Sequence, residues 1–158
     1  MNKTRIQTLI LEKLQADLVI AKDALKASHE AATHAESKAE NKYDTRGLEA
    51  AYLADGQRRR VHEIEAALNL YRNLPVRAQV DEAIKLGALV SLEQAGVSRW
   101  VLLGPDAAGL RVIDEGADVL VISPRSPLGQ ALLGRCDGDE VEVLVDGRRQ
   151  LYEVKEIC

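Results

Sequence analysis

LEKLQADLVIAKDALKASHEAATHAESKA, residues 11–39, decides the fold. Counting from Leu11, apolar or small residues fall at Leu14, Leu18, Ala21, Leu25, Ser28, Ala32, Ala35 and Ala39, an unbroken alternation of steps of three and four. That alternation is the 3.5-residue period of a coiled-coil seam. A second seam runs through Ala50, Ala54, Gln57, Val61, Ile64, Leu68 and Tyr71 and stops near Pro75, where a helix cannot easily continue. Between the seams lies Asn41-Lys42-Tyr43-Asp44-Thr45-Arg46-Gly47, whose Asn, Asp and Gly favour a turn. Two helices that want the same partner, joined by a turn, predict an antiparallel helical hairpin over 1–75 with its tip near 40–47. Pairing Ala35 with Ala54, Leu25 with Ile64 and Leu18 with Tyr71 gives one index sum, 89, and puts the fold centre between Asp44 and Thr45. Both seams pass from large residues at the base to alanines near the tip, which lets the helices approach closely at the cost of buried area. A dimerisation coiled coil or a simple spacer has the same pattern.

Beyond Pro75 the period changes. Ala88–Leu92, Trp100–Leu103, Val119–Ile122, Val141–Val145 and Leu151–Val154 read as short strands, separated by turn signals such as Gly104-Pro105-Asp106, Gly138-Asp139 and Asp146-Gly147. One helix is expected between Pro127 and Leu133, with Pro in its first turn and Gly134 closing it. Residues 76–87 form a joint, read as a short helix before the first strand. The class is therefore α+β, with a helical hairpin at 1–75 and a small β-rich globular domain at 76–158.

Composition narrows the function. The chain has 158 residues, 25 acidic and 21 basic, for a net charge of −4, and 46% of its residues are hydrophobic, as in ordinary folded domains. Aromatic residues are only 3% with no Phe, which argues against an aromatic ligand cage or a base-stacking platform. The hairpin half carries +1 and the globular half −5, so the acidity sits on the globular end and a free-standing nucleic-acid binder is disfavoured. No apolar run approaches the roughly 20 residues of a membrane helix, and Met1-Asn2-Lys3-Thr4-Arg5 leads into no secretory core, so the expectation is a cytoplasmic protein without a membrane partner. Cys136 and Cys158 have no metal-site spacing and read as reduced, incidental thiols.

No enzyme signature is present. Ser123, Ser126, His29, His34 and His62 form no nucleophile motif, and the glycines 87, 96, 104 and 109 are followed by no Lys-Ser/Thr of a phosphate loop. The hairpin tip is more suggestive: Glu36, Glu40 and Asp44 are spaced four apart and lie along one face while the helix lasts. Two or three carboxylates are too few oxygens to hold a hard divalent cation alone, so such a tip would complete a metal site belonging to a partner. A solvated face of ion pairs with Lys38, Lys42 and Arg46 explains the same spacing.

Ser123-Pro124-Arg125-Ser126-Pro127-Leu128-Gly129-Gln130-Ala131-Leu132-Leu133-Gly134, followed by Gly138-Asp139-Glu140-Val141-Glu142-Val143, resembles the C-terminal domain of the bacterial Gre transcript-cleavage factors. Glu40-Asn41, Tyr43 and Val61-His62-Glu63-Ile64-Glu65-Ala66-Ala67-Leu68 resemble the Gre coiled coil, so the likeness spans most of the chain. The resemblance implies an FKBP-like C-terminal domain that docks on RNA polymerase at the rim of its secondary channel, here through Arg125, Ser126, Pro127 and Leu128. It also implies a coiled coil that enters the channel. In the family, an Asp and a Glu three residues later help hold a second Mg²⁺ of the polymerase active site, promoting hydrolysis of backtracked RNA by the polymerase itself. The factor is then no enzyme and has no cofactor of its own; it acts as a monomer and meets nucleic acid only through the elongation complex.

Carried over, Glu40 matches the family Glu before Asn, while the Asp position is taken by Ser37, with Glu36 one residue further back. Counted from the second helix instead, Glu40 takes the Asp position and Tyr43 the Glu position, with Asp44 adjacent. The tip acids expected to act in trans are therefore Glu40 and Asp44, with Glu36 in reserve, and Glu40 and Asp44 would touch metal only inside the polymerase complex. A second departure is Arg125, where the family places an acidic or amide residue before Ser-Pro. Two outcomes follow from the resemblance, stimulated cleavage or channel occupancy without cleavage. Outside it stand a peptidyl-prolyl isomerase-like domain and a structural coiled-coil dimer.

Overall fold

A computed structural model describes residues 1–38, 46–79 and 82–158, with the side chains of all of these except 35–38 and 46. The chain forms two compact units, Glu12–Asn69 and a second that joins Met1–Leu11 to Leu70–Cys158. These units divide within the two long helices, because Ile6, Ile10 and Tyr71 are fully buried and the polar groups around them bond to the chain beyond Pro75.

Helix α1 spans Lys3–Lys38 and α2 spans Arg46–Arg72. Asn2 starts α1: its side-chain oxygen accepts from the Arg5 amide at 3.1 Å, satisfying one of the donors a helix N-terminus leaves open. Over the described side chains Leu14, Leu18, Ala21 and Ala32 are buried on α1 and Ala54, Val61, Ile64, Leu68 and Tyr71 on α2, the seam residues Leu11, Leu25, Ser28, Ala50 and Gln57 are half-buried, and the expected members Ala35 and Ala39 lie outside the described side chains. The printed polar contacts between the two helices do not themselves have the index sum of 89. Gln7 Nε2 donates to the Tyr71 carbonyl, and Lys22 pairs with Glu65 at 3.9 Å, giving sums of 78 and 87. Both fall below 89, on either side of 82, the sum that the same seam would have one heptad lower. A heptad seam is unchanged by a seven-residue slide, so hydrophobic pattern alone does not separate the two registers. The expected centre between Asp44 and Thr45 lies outside the described residues.

The globular unit is built on a six-stranded sheet of β1 (Leu89–Gln94), β2 (Val97–Leu103), β3 (Arg111–Asp114), β4 (Ala117–Ile122), β5 (Glu140–Val145) and β6 (Arg148–Ile157), in the order β3-β4-β2-β1-β6-β5. All neighbours are antiparallel except β2 and β4, which pair in parallel with Trp100 against Val119. Helix α3, Pro127–Leu132, lies within the connection from β4 to β5. One sheet face buries Val90, Leu92, Val101, Leu103, Val141, Val143, Tyr152 and Val154 together with Leu132 of α3.

Five strands stand where alternation and turn signals predict them. The sixth, β3, is absent from the sequence reading because it is four residues long and buries one side chain, Val112. The joint is corrected as well: the described residues of 76–87 form no helix. Their backbone groups bond elsewhere, Ile84 N–H to the Arg135 carbonyl at 2.8 Å, the Gly134 N–H to the Ile84 carbonyl at 2.8 Å, and Gly87 N–H to the Leu103 carbonyl at 2.8 Å. Bonds to strand and loop replace the i→i−4 ladder that a helix needs.

The last turn of α2 is tied to the sheet through Tyr71. Its hydroxyl donates to the Asp106 carbonyl at 2.7 Å. Beneath it lies Gly104, where an added Cβ would sit 2.2 Å from the Tyr71 hydroxyl and 2.7 Å from Val121 Cγ1. Burial, followed by the charge of Asp106, pushes the hydroxyl well above its ordinary value of 10.0.

Two outcomes follow. Gly104→Ala should destabilise the protein by roughly 1–3 kcal/mol through overpacking, measured by urea denaturation. Tyr71→Phe should cost about 1 kcal/mol at neutral pH from the lost hydrogen bond. Because folding raises this hydroxyl's pKa, its stabilisation is intact below pH 10.0 and is lost as pH rises above it. The decline in stability above that pH should therefore be shallower in Tyr71→Phe than in the parent.

Candidate functional site

Ser123–Leu133 carries the docking expectation, and its local chemistry accounts for most of its sequence. Ser126 is the N-cap of α3 with extended backbone (φ −65°, ψ 156°). Its Oγ accepts from the Gly129 N–H at 3.0 Å and donates to the Ser123 carbonyl at 2.6 Å. Pro127 opens the helix, where its missing N–H costs nothing. Leu128 and Ala131 pack partly buried against the core, and Leu132 is fully buried within it. Gly129 has no room for a side chain, since a Cβ would lie 2.0 Å from the Ser123 carbonyl oxygen. Ser123 in turn accepts the Arg125 N–H on its own Oγ at 3.1 Å.

Of the four residues expected to dock, then, Ser126 caps the helix and Leu128 packs inward. Arg125 and Pro127 are exposed, so a partner meeting this segment meets the guanidinium and the proline ring first. The following loop is equally ordered by local bonds. The Cys136 N–H donates to Asp139 Oδ2 at 2.8 Å, and Gly138 and Asp139 exchange backbone bonds with Val154 at 2.8 Å. Cys136 is exposed, Cys158 is half-buried, and both are free thiols.

At the other end, Glu36 lies on α1 with its side chain outside the description, and Glu40 and Asp44 lie outside the described residues altogether, as does Lys42. His29, His34 and His62 are exposed helix residues. Among the described residues no group of three or more His, Cys, Asp or Glu could hold a metal ion. None of the described helices is long and apolar enough to cross a membrane.

The two aromatic side chains that an isomerase pocket would need do not meet. Tyr152 belongs to the core on the α3 side of the sheet with Val101. Trp100, next to Val101 on β2, points to the opposite face by strand alternation.

Polar contacts at the base of the hairpin carry no sequence motif. Lys3 Nζ donates to the Arg77 carbonyl at 2.8 Å and to a Cys158 oxygen at 3.0 Å, and burial lowers its pKa. Gln7 Nε2 also reaches the Leu74 carbonyl at 3.1 Å, and Arg5 lies 3.6 Å from Asp114. An Ile6, Ile10 extension of the seam towards the N-terminus is the one signal that marks this segment as buried.

Comparison with known proteins places these features. The family model "Transcription elongation factor, GreA/GreB, C-term" matches residues 79–158. A protein of Desulfovibrio desulfuricans named transcription elongation factor GreA is 35% identical over 112 residues, covering 68% of this chain and 65% of its own length. Another of the same name from Maridesulfovibrio salexigens is 30% identical over 139 residues, covering 83% of this chain and 79% of its own. Among solved structures, the GreA factor homolog 1 (Gfh1) protein of Thermus thermophilus is 24% identical over 94% of both chains, with a TM-score of 0.39.

Urea titrations separate the roles within the segment. Ser126→Ala should lose about 1 kcal/mol with the cap, and Gly129→Ala should lose more because its clash is with backbone. Arg125→Ala should remain within about 0.5 kcal/mol of the parent, as an exposed substitution.

Proposed function

This chain belongs to the GreA/GreB family of transcription elongation factors, and on that premise we propose that it binds RNA polymerase at the secondary channel and inserts the end of its helical hairpin. The observation that carries the reading is the family match across the whole globular unit beyond residue 79, joined to a preceding pair of long helices. Docking falls to the Ser126-capped segment, with Arg125 and Pro127 as its exposed members. The protein performs no reaction alone; it alters what the polymerase active site does.

At the inserted end Glu40 and Asp44, with Glu36 behind them, are the carboxylates that would lie near the polymerase's Mg²⁺. When bound there, a second Mg²⁺ would supply Lewis-acid polarisation of the phosphate and activation of water for phosphodiester hydrolysis. Two carboxylates leave most of a hard cation's coordination to other oxygens, which fits acids completing a site on the polymerase rather than a site of their own. The role of this chain's residues is to bring negative charge to within reach, and misplacement by about 1 Å is enough to forfeit much of the effect.

A second reading, channel occupancy without cleavage, is favoured by one specific feature. Ser37 stands three residues before Glu40, so one carboxylate of the family pair is displaced by a residue.

Backtracked elongation complexes distinguish these. Cleavage accelerated by the protein and abolished by a Glu40→Ala, Asp44→Ala double substitution, with polymerase binding retained, is the expected result for a cleavage factor. Binding without acceleration identifies a channel-occupying regulator, and the absence of binding removes the polymerase reading altogether.

A further inference from the structure

A cleft in the globular unit lies away from the Ser126-capped segment. Strands β2 and β4 pair in parallel from Trp100 opposite Val119 to Leu103 opposite Ile122. Before that point Val97–Arg99 pair only with β1, and Ala117–Asp118 only with β3. The two β-hairpins therefore run to their turns, at Ala95-Gly96 and Glu115-Gly116, without joining each other. The space between their ends is a cavity of about 510 Å³, within the size range of small-ligand pockets. It lies at the start of β4, whereas the Ser126-capped segment follows the end of that strand.

Its lining is chemically mixed. By strand alternation Arg99 and Asp118 stand on the face of the sheet that carries α3, in line with Val101 and Leu120, and Arg111 of β3 stands opposite Leu120. Continued back by one residue, the β2–β4 register sets Arg99 level with Asp118. Asp118 pairs with Arg111, while Arg99 is exposed and makes no ion pair among the described residues. Those three are the charged residues of the lining, so the cavity carries a single net positive charge. Val97 and Leu120 supply an apolar wall. Trp100 and Ala117 also line it, and both line a second cavity of about 470 Å³ that includes Arg5 and Asp114. The half-buried indole thus stands where two cavities meet.

These groups define a ligand. A guanidinium without a partner takes an oxyanion by two parallel N–H donations, in a planar fork that matches a carboxylate. One net positive charge balances one carboxylate and leaves a phosphate monoester, at nearly two negative charges, partly uncompensated. An indole beside the same space favours a flat apolar ring next to the charged group.

We propose that the cleft between the β1–β2 and β3–β4 hairpins binds a small monocarboxylate with a flat apolar ring, its carboxylate on Arg99 and its ring between Trp100 and the Val97 and Leu120 wall. Asp118 is a positioning residue: it engages Arg111 and so leaves Arg99 to the ligand. None of these residues belongs to the docking segment or the hairpin tip, so the inference stands or falls apart from the polymerase reading.

Trp100 is the only tryptophan of the chain, and its fluorescence reports the site in the full-length protein. Titration with phenylacetate should change that emission saturably, with a dissociation constant on the order of 1 mM, as expected for a ligand this small. Phenylacetamide, with the same ring and no charge, should bind about tenfold more weakly or worse, and Arg99→Gln should weaken phenylacetate binding by a similar factor through loss of the charge-assisted bonds. The melting temperature of Arg99→Gln should stay that of the parent, since the side chain is exposed. Arg148→Gln, at an exposed arginine that begins β6, should bind as the parent does. An emission that phenylacetate leaves unchanged, or changes equally in Arg99→Gln, overturns the inference. Equal binding of phenylacetamide makes the cleft a purely apolar site and also overturns it. Tighter binding of phenyl phosphate than of phenylacetate assigns the cleft to phosphates and overturns the carboxylate.

Discussion

The globular unit depends on the contact between Tyr71 and Gly104. Tyr71 ends the α2 seam, yet its hydroxyl reaches the Asp106 carbonyl beyond β2, and the space it occupies exists only because residue 104 has no Cβ. The same residue's carbonyl receives Gln7 from α1. One residue, through its side chain and its carbonyl, thus ties the first turns of α1, the last turn of α2 and the β2–β3 connection to a single packing arrangement. Its cost is a buried phenol that must keep its proton, which ties stability to alkaline pH.

The segment with the strongest family likeness is also the one whose residues have local duties. Ser126 terminates the unpaired amides of α3, Pro127 presets the first turn, and Gly129 permits contact with the Ser123 carbonyl. A sequence motif of this kind specifies a loop first and a binding surface second. What it offers a partner is decided by the residues without such duties, and here the exposed charge is Arg125. Arg125 is positive where the resemblance leads to an acidic or amide residue, so a partner meeting this loop would meet a different charge on the same loop geometry.

The hairpin shows a similar division of labour. In the first half of α2 the buried positions are small, Gly47 and Ala54 with Ala50 half-buried, while Leu48, Tyr52 and Leu53 are exposed. By buried area, small seam residues contribute less than leucines in the same positions would.

The sequence by itself determined the α+β class, both helical seams, five of the six strands and the cap and closure of α3, since each is written in local periodicity or in the backbone demands of Ser, Pro and Gly. It also singled out Arg125–Leu128, because residue order is what a family likeness reads. Periodicity alone does not choose the heptad on which the two helices meet, because a repeat of seven is indifferent to a slide of seven and only non-repeating contacts such as Gln7 with Tyr71 bear on it. Tertiary structure decided that residues 82–87 bond to Arg135, Gly134 and Leu103 in place of a helical ladder, and that β3 forms around the single buried Val112. In the first two cases the determining partner lies far along the chain, where local pattern carries no information, whereas β3 pairs with the neighbouring β4 and is too short, with one buried side chain, to show an alternation.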